Sequence, residues 1–537
     1  MTNNPDSANP LIQTLKQPRY YPHTVRAIEL IETHISWVLL TGERAYKLRK
    51  PVDFGFLNFT TLRQRFDDCC NELRLNRRFS PELYLGLICI RGSLEQPQID
   101  TVDPQHEFDP EALDYAVCMV QFPQQQLLSA RQQHNTLPQA ELLTLAQQLA
   151  QIHTQAPNNP EDSSLGSPET VAGVMLDNFA QIAPYLEFLP EHRQHLERIR
   201  QLTLGELERY QGLLTERHQQ GHIRECHGDL HLGNIALFGG RACPFDCIEF
   251  SPRYRWIDPL SDLAFLLMDL HLHQQHSLSQ QLLNRYLEQS LDYRALPLLP
   301  LYQAYRAMVR AKVLLLSHPI PTNSDSSRET PSLDTTTLTT LNQYLELAEQ
   351  LLAPTCGRLI LMYGVSGSGK SWMSQQLIEQ LPQATIRLRS DLLRPRQDSD
   401  DRYSRLADEH VYSQLLDLSR CLMEAGYQVI VDAAFLQSSQ RQPFIELALE
   451  LNKPPVILCC IADFEELQTR IGQRLQHGQD PSEATTAVLE QQLQSQQPLT
   501  PQEQRFCNPI NTAQTKAVAK LLAQLSEREK EKEHQAV

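Results

Sequence analysis

The chain of 537 residues holds no apolar run approaching the roughly 18 residues that a membrane-spanning helix needs. Its first residues, Met1 to Pro10, are polar and contain no apolar signal core. No membrane role is expected, and a cytoplasmic location follows as the expectation. The twelve cysteines lack the spacing of a disulfide framework, and two pairs, Cys69-Cys70 and Cys459-Cys460, are direct neighbours. Reduced, mostly buried thiols are therefore expected. Cys243 and Cys247 have no matching CxxC or histidine pair, so zinc is not indicated. Basic residues are also short: 48 Lys and Arg stand against 64 Asp and Glu, for a formal net charge of −16. That balance argues against a nucleic-acid partner, because a phosphate backbone demands a basic surface. Glutamine-rich patches recur without a fixed period, which excludes a solenoid.

What is present suffices for folding. Hydrophobic residues make up 41% and charged residues 21%, both ordinary for a globular chain, and the length calls for more than one core. The stretch from Ser317 to Thr337 combines Pro, Ser, Asp and Thr with little apolar content and marks the best boundary. The expected division is a first domain over 1–318, with a small lobe over about 20–123 and a large lobe over about 124–318. A linker at 319–338, a second domain over 339–526 and a charged tail at 527–537 complete it. Ala304 to Leu316 reads as a helix before the boundary. Leu338 to Leu352 has helical apolar spacing after it and is expected to pack on the second domain.

In the second domain, the apolar run Arg358 to Tyr363 leads into Gly364, Val365, Ser366, Gly367, Ser368, Gly369, Lys370 and Ser371, which match GxxxxGK[ST] in full. A helix pattern follows from Trp372 to Leu381. Strand, glycine-rich loop and helix in that order form an anion cradle from exposed N–H groups, so these eight residues are expected to hold the phosphates of ATP. Lys370 would reach the β- and γ-phosphates and the Ser371 hydroxyl would ligate Mg²⁺. Two further strands end in carboxylates. Asp391 follows Thr385 to Leu388 and either accepts the proton of an acceptor hydroxyl or caps the next helix. Asp432 follows Gln428 to Val431 and either orients Mg²⁺ or is structural. Arg470 and Arg474, four apart on a predicted helix before the polar loop at His477 to Ala484, either close over the phosphates or form a solvated face.

In the first domain, Cys226 precedes His227-Gly-Asp229-Leu-His231-Leu-Gly-Asn234, and Asp246 follows twelve residues after Asn234. Kinase chemistry needs a carboxylate beside the acceptor hydroxyl, an amide oxygen on the metal and a second carboxylate on the metal. Asp229, Asn234 and Asp246 fit those three positions. His227 is expected to hold the loop backbone. The hairpin from Ile35 to Leu48 carries Lys47, a candidate for the nucleotide phosphates, with Lys50 and Arg49 as nearby competitors. Glu72, on the helix pattern Leu62 to Phe79, is expected to pair with Lys47. Tyr115 to Gln121 reads as a buried strand emerging at a hinge, Phe122-Pro123. Asp258 and Asp262 are expected to buttress the loop or cap the following helix.

From Arg358 to about Leu525 the sequence resembles the small P-loop kinases of the gluconate kinase, chloramphenicol phosphotransferase and zeta-toxin group. Asp391 stands where that group has its usual base candidate, and the lid departs enough from any member that no acceptor carries over. Residues 20 to 316 resemble the aminoglycoside phosphotransferase family through HGDLHLGN and the aspartate after it. The longer pieces HISWVLLTGERAYKLRKPVDFGF and CHGDLHLGNI look like its bacterial branch fused to a P-loop kinase. The fold implied is an α+β two-lobed protein-kinase-like domain followed by an α/β P-loop NTPase domain with a mainly parallel sheet. One departure is the lack of a GxGxxG loop before Lys47, where only Thr41-Gly42 stands. The function implied is ATP- and Mg²⁺-dependent phosphorylation of small hydroxylated acceptors at one site in each half. The competing reading is a nucleotide-gated regulator in which one half is a non-catalytic ATP sensor. A polynucleotide 5′-kinase would need a basic groove that the acidic composition does not advertise.

Overall fold

The computed structural model describes residues 9–318, 333–394, 405–477 and 486–522, apart from positions 54, 56, 104–107, 159, 161, 515–517 and 520. Two compact units interleave along the chain: Met1–His273 with Leu301–Glu349, and Gln274–Pro300 with Gln350–Val537. Most of the expected linker (319–332) and the whole tail (527–537) lie outside the described residues.

The first unit begins with six strands: β1 (Glu29–Glu32), β2 (Ser36–Leu40), β3 (Arg44–Arg49), β4 (Tyr84–Gly92), β5 (Pro97–Val102) and β6 (Asp114–Val120). They form one sheet in the order β1-β2-β3-β6-β4-β5, with every neighbouring pair antiparallel. Alternation along the strands divides the side chains between two cores. Ile88, Ile90, Ala116 and Cys118 join Trp37 and Leu48 on one face, while Leu87, Cys89, Tyr115 and Val117 meet Phe66, Cys69 and Leu73 on the other. The latter three belong to the helix Leu62–Asn76, whose start is fixed by a capping box between Thr61 and Gln64. Its i, i+4 residues Asp68, Glu72 and Asn76 are all buried.

The rest of this unit is mainly helical, with the helix Pro259–Leu272 at its centre and short pairings β7 (Arg224–Glu225) with β10 (Trp256–Ile257) and β8 (Ile235–Phe238) with β9 (Arg241–Pro244). The helix Thr335–Leu352 also packs here through most of its length, contrary to its expected place on the second domain. Asn342 meets His192 at 2.8 Å, Glu349 binds His195 and Arg198, and the Tyr344 hydroxyl accepts from Arg310. Apolar periodicity defined the helix without identifying those polar partners.

The second unit carries five strands: β11 (Leu359–Tyr363), β12 (Thr385–Arg389), β13 (Gln428–Asp432), β14 (Val456–Ile461) and β15 (Cys507–Asn511). All four pairings in the order β12-β13-β11-β14-β15 are parallel. The chain leaves central β11 for one side of the sheet and later returns to the other, which opens a crevice at the carboxyl end of β11. Cys459 of β14 and Cys507 of β15 form a disulfide with Cα atoms 6.4 Å apart, whereas all thiols were expected reduced; adjacent strands bring together residues 48 apart in sequence. The other ten cysteines are free.

An unexpected member of this unit is the helix His276–Ser290, which lies before the sequence boundary. Edge strand β12 has one side unpaired by any strand, and this helix satisfies it with amide side chains. Asn284 Nδ2 donates to Thr385 O at 2.8 Å, and Asn284 Oδ1 accepts from Arg387 N at 2.8 Å. Gln280 Oε1 accepts from Thr385 N at 3.1 Å, and Glu288 pairs with the Arg387 guanidinium. Buried main-chain groups need such partners, and an edge so covered cannot recruit another strand.

Candidate functional sites

In the first unit, β3 alternation turns Lys47 and Arg49 to the face opposite Tyr46 and Leu48. Both line a cavity of about 490 Å³ whose wall also includes Glu72, Asp229, Asp246 and Phe122. Lys47 Nζ lies 2.9 Å from Glu72 Oε1 and 2.5 Å from Asp246 Oδ1. Burial opposes the ammonium charge, but Asp246 and Glu72 hold its pKa above the ordinary lysine value. Lys50, by contrast, pairs with Glu32 at 2.7 Å and lies over the Trp37 ring.

Asp229 and Asn234 meet on the loop between β7 and β8. Asn234 Nδ2 donates to Asp229 Oδ2 at 2.8 Å and to Asp229 O at 3.0 Å. Burial would raise the Asp229 pKa, but the hydrogen bond from His231 and the charges around it bring it down to about 2. His227 is buried; Nε2 donates to Phe245 O at 3.0 Å and Nδ1 accepts from Asp229 N at 3.3 Å. Asp262 accepts from the N–H groups of His227 and Gly228 at 3.0 and 2.8 Å, so it braces the loop. Asp258 caps the Pro259–Leu272 helix through Leu260 N and binds Arg217.

Asp246 has φ of +63°, a left-handed conformation that costs a non-glycine residue roughly 1–3 kcal/mol. Three bonds surround it: Phe245 N to Asn234 O, Asp246 N to the Tyr84 hydroxyl, and Cys247 N to Asn76 Oδ1. They hold a half-exposed carboxylate facing the cavity. The turn overhanging this cavity is the β1–β2 turn, with Thr33 and Ile35 in its lining. Thr41-Gly42 instead closes the β2–β3 hairpin, where Gly42 N donates to Gln121 Oε1.

Sequence reasoning missed the role of Arg49. Its side chain is 1% exposed, and its nitrogens reach Asp68 Oδ2 at 2.5 Å, Glu72 Oε2 at 2.6 Å, Ser36 Oγ at 2.9 Å and Glu249 Oε1. Burial raises the Glu249 pKa to about 8 despite Arg49. Asp68 and Glu72 at i, i+4, on the same helix face as the buried Cys69 and Leu73, were the available signal.

In the second unit, Gly364–Ser371 turns from β11 into the helix Lys370–Gln380. Gly369 has φ of +86°, and a Cβ there would stand 2.8 Å from Thr512 Oγ1; Gly367 has φ of +81°, with Leu467 O 2.9 Å from the same position. Neither tolerates a side chain. Lys370 Nζ donates to Gly364 O and Val365 O, both at 2.9 Å. Ser366 N donates to Gln492 Oε1 at 2.7 Å, and Ser368 O accepts from Thr512 Oγ1 at 2.9 Å.

Asp391, Asp432, Lys370, Ser371 and Arg470 share a cavity of about 890 Å³. Asp391 lies in the first turn of the short helix Ser390–Leu393, and Asp432 Oδ2 accepts from Ser374 Oγ at 3.1 Å. Arg470 is held by Glu466 at 2.7 Å and donates to Gly367 O and Thr512 Oγ1. The Arg474 side chain and the loop at 478–484 lie outside the described residues. Tyr412, Gln437, Gln440 and Gln491 also line the cavity. No motif marks them, since they come from three helices, Arg405–Glu424, Ser438–Glu450 with its cap Gln437, and Thr486–Ser495, assembled only by the fold.

Residues 105–299 match the model of the Phosphotransferase enzyme family, and residues 359–499 match that of an AAA domain. The uncharacterised protein Rv2004c of Mycobacterium tuberculosis (strain ATCC 25618 / H37Rv) is 28% identical over 473 residues, covering 86% of this chain and 89% of that relative. Among solved structures, a choline/ethanolamine kinase family protein from Mesorhizobium loti matches at 13% identity and a TM-score of 0.36, over 65% of this chain and 94% of that one. A gluconokinase from Sinorhizobium meliloti 1021 matches at 18% identity and a TM-score of 0.26, over 34% and 99%. The chain has a kinase-like amino-terminal domain followed by a P-loop domain with a five-stranded parallel sheet. Its two family matches support a phosphotransferase.

Proposed function

We propose that the chain is a bifunctional ATP-dependent phosphotransferase acting on small hydroxylated acceptors, with one site in each unit. The observation carrying this reading is that each unit encloses its own cavity containing a lysine together with carboxylates. In the first, Lys47 and Glu72 would address the nucleotide phosphates and Asp229 would accept the acceptor proton. Its pKa of about 2 keeps Asp229 ionised at neutral pH. In the second, Gly364–Ser371 and Arg470 would bind phosphate, with Asp391 as proton acceptor.

The donor chemistry fits Mg²⁺. Around Lys47 and Arg49 stand Asp68, Glu72 and Asp246, three carboxylates against two cations even with the buried Glu249 protonated at neutral pH, leaving room for added positive charge. The half-exposed Asp246 carboxylate and the Asn234 amide oxygen are hard oxygen donors, as are Ser371 and Asp432 in the second cavity. Mg²⁺ would supply charge neutralisation on the phosphates.

The test is acceptor-dependent ADP release from the full chain across hydroxylated metabolites and aminoglycosides, with Asp229→Asn, Lys370→Ala and the double variant. Each single change should remove one set of acceptors and spare the other. Loss of both sets from either change, with folding intact, refutes two independent sites.

A further inference from the structure

Of the three tryptophans, Trp37 is buried, Trp256 is half-buried and Trp372 is 47% exposed. Trp372 directly follows Ser371 on the Lys370–Gln380 helix. Its neighbours Met373, Leu377 and Ile378 are fully buried in the core beneath the sheet. At 100° per residue, Trp372 therefore stands on the opposite side of the helix. Packing does not call for an indole there, since tryptophan is favourable through the large area that it buries. The ring instead lines the 890 Å³ cavity that contains Lys370, Ser371, Asp391 and Asp432.

Sheet order gives this cavity a direction. Asp391 follows β12 and Asp432 ends β13 on one side of β11, whereas Arg470 and Thr512 follow β14 and β15 on the other. A phosphoryl group leaving for an acceptor must face the Asp391 and Asp432 side. The remainder of the nucleotide, seated by phosphate on the loop and the helix N-terminus, then runs past Ser371, where Trp372 is the next residue. We infer that the Trp372 indole is the stacking surface for the nucleoside base. This inference rests on the P-loop phosphotransferase reading of the second unit. Every base has a π-face, so the stack accepts either purine and does not select adenine by hydrogen bonding.

The test compares ATP, GTP and inorganic tripolyphosphate by calorimetric titration of the full chain, following the binding event that Lys370→Ala removes. Trp372→Ala should weaken ATP and GTP at that event by about 5- to 150-fold, the usual range for a lost base stack, and leave tripolyphosphate unchanged. Trp372→Phe, which keeps a flat ring, should restore most of the nucleotide affinity. Unchanged ATP affinity in Trp372→Ala overturns the inference, as does an equal loss for ATP and tripolyphosphate. If the wild-type chain has no Lys370-sensitive event, the P-loop reading fails first and the stacking role falls with it.

Discussion

Replacing Arg49 with methionine removes the one guanidinium bonded to Asp68, Glu72 and Glu249 while retaining a side chain of similar length. Breaking a buried ion pair by deleting one partner costs about 3–5 kcal/mol. Three carboxylates share this cation, so their separate costs do not add, and the lower part of that range is expected near pH 6. The reason is protonation. Burial raises the Glu249 pKa to about 8, above the roughly 4.3 of an unfolded glutamate. Between those values the native state holds the extra proton, so this group's contribution to stability falls as pH rises and levels off above about 8. Without Arg49 the folded pKa moves higher and the fall continues. The gap between wild type and Arg49→Met should then widen by up to about 1.4 kcal/mol for each pH unit above 8. Because two units do not unfold in one step, the assay is urea-dependent hydrogen exchange of β2, β3 and β6 amides at pH 6 to 9. A gap below about 1 kcal/mol at pH 6, or one that narrows with rising pH, refutes the reasoning.

Asp229→Asn should lower acceptor phosphorylation in the first unit by roughly 10²–10⁴-fold with ATP binding retained, because the change is isosteric and removes only proton acceptance. The low Asp229 pKa of about 2 further requires that no acid limb of the wild-type rate profile between pH 4 and 7 arise from this group; a limb abolished by Asp229→Asn would contradict that. Lys370→Ala should eliminate nucleotide turnover in the second unit, and unchanged turnover in single-turnover assays would remove the role of the loop. Asn284→Ala leaves Thr385 O and Arg387 N without their side-chain partner. At about 1–3 kcal/mol for each buried unsatisfied group, the second unit should lose roughly 2–6 kcal/mol in denaturant unfolding. A loss below about 0.5 kcal/mol would show that the edge of β12 finds other partners.

Short segments with strong local chemistry were legible in the sequence. The strand, loop and helix around Gly364–Ser371 declared themselves because apolar run, glycine spacing and helical periodicity are all local. The Lys47–Glu72 pair was anticipated from a hairpin strand followed by a helix pattern bearing a carboxylate, and the two side chains meet at 2.9 Å. The Arg49 cluster was obscured because its partners lie 19, 23 and 200 positions away, and beside Lys47 and Lys50 it reads only as a competitor for the nucleotide phosphates. The lack of a glycine-rich turn before Lys47 was legible, but no local signal told that the β1–β2 turn, through Thr33 and Ile35, borders the cavity. The His276–Ser290 helix was assigned to the first domain because chain continuity says nothing of an amide at Asn284 matching the spacing of free main-chain groups on β12.

That helix has a consequence for the making of the protein. During synthesis, residues 274–300 leave the ribosome while the first unit still awaits 301–349, and their own packing partner comes later. Strand β12 follows about 100 residues downstream, a delay on the order of 5–20 s at ordinary rates of elongation. Through that interval Gln280, Asn284 and Glu288 lack the strand whose main chain and arginine they bind. The nascent chain therefore passes through a stage with one unit completed around a looped-out helix, and chaperone dependence should be concentrated there. A gene split at the apparent boundary near residue 330 would deliver the helix and its sheet as separate polypeptides, so two well-folded halves are not its expected products.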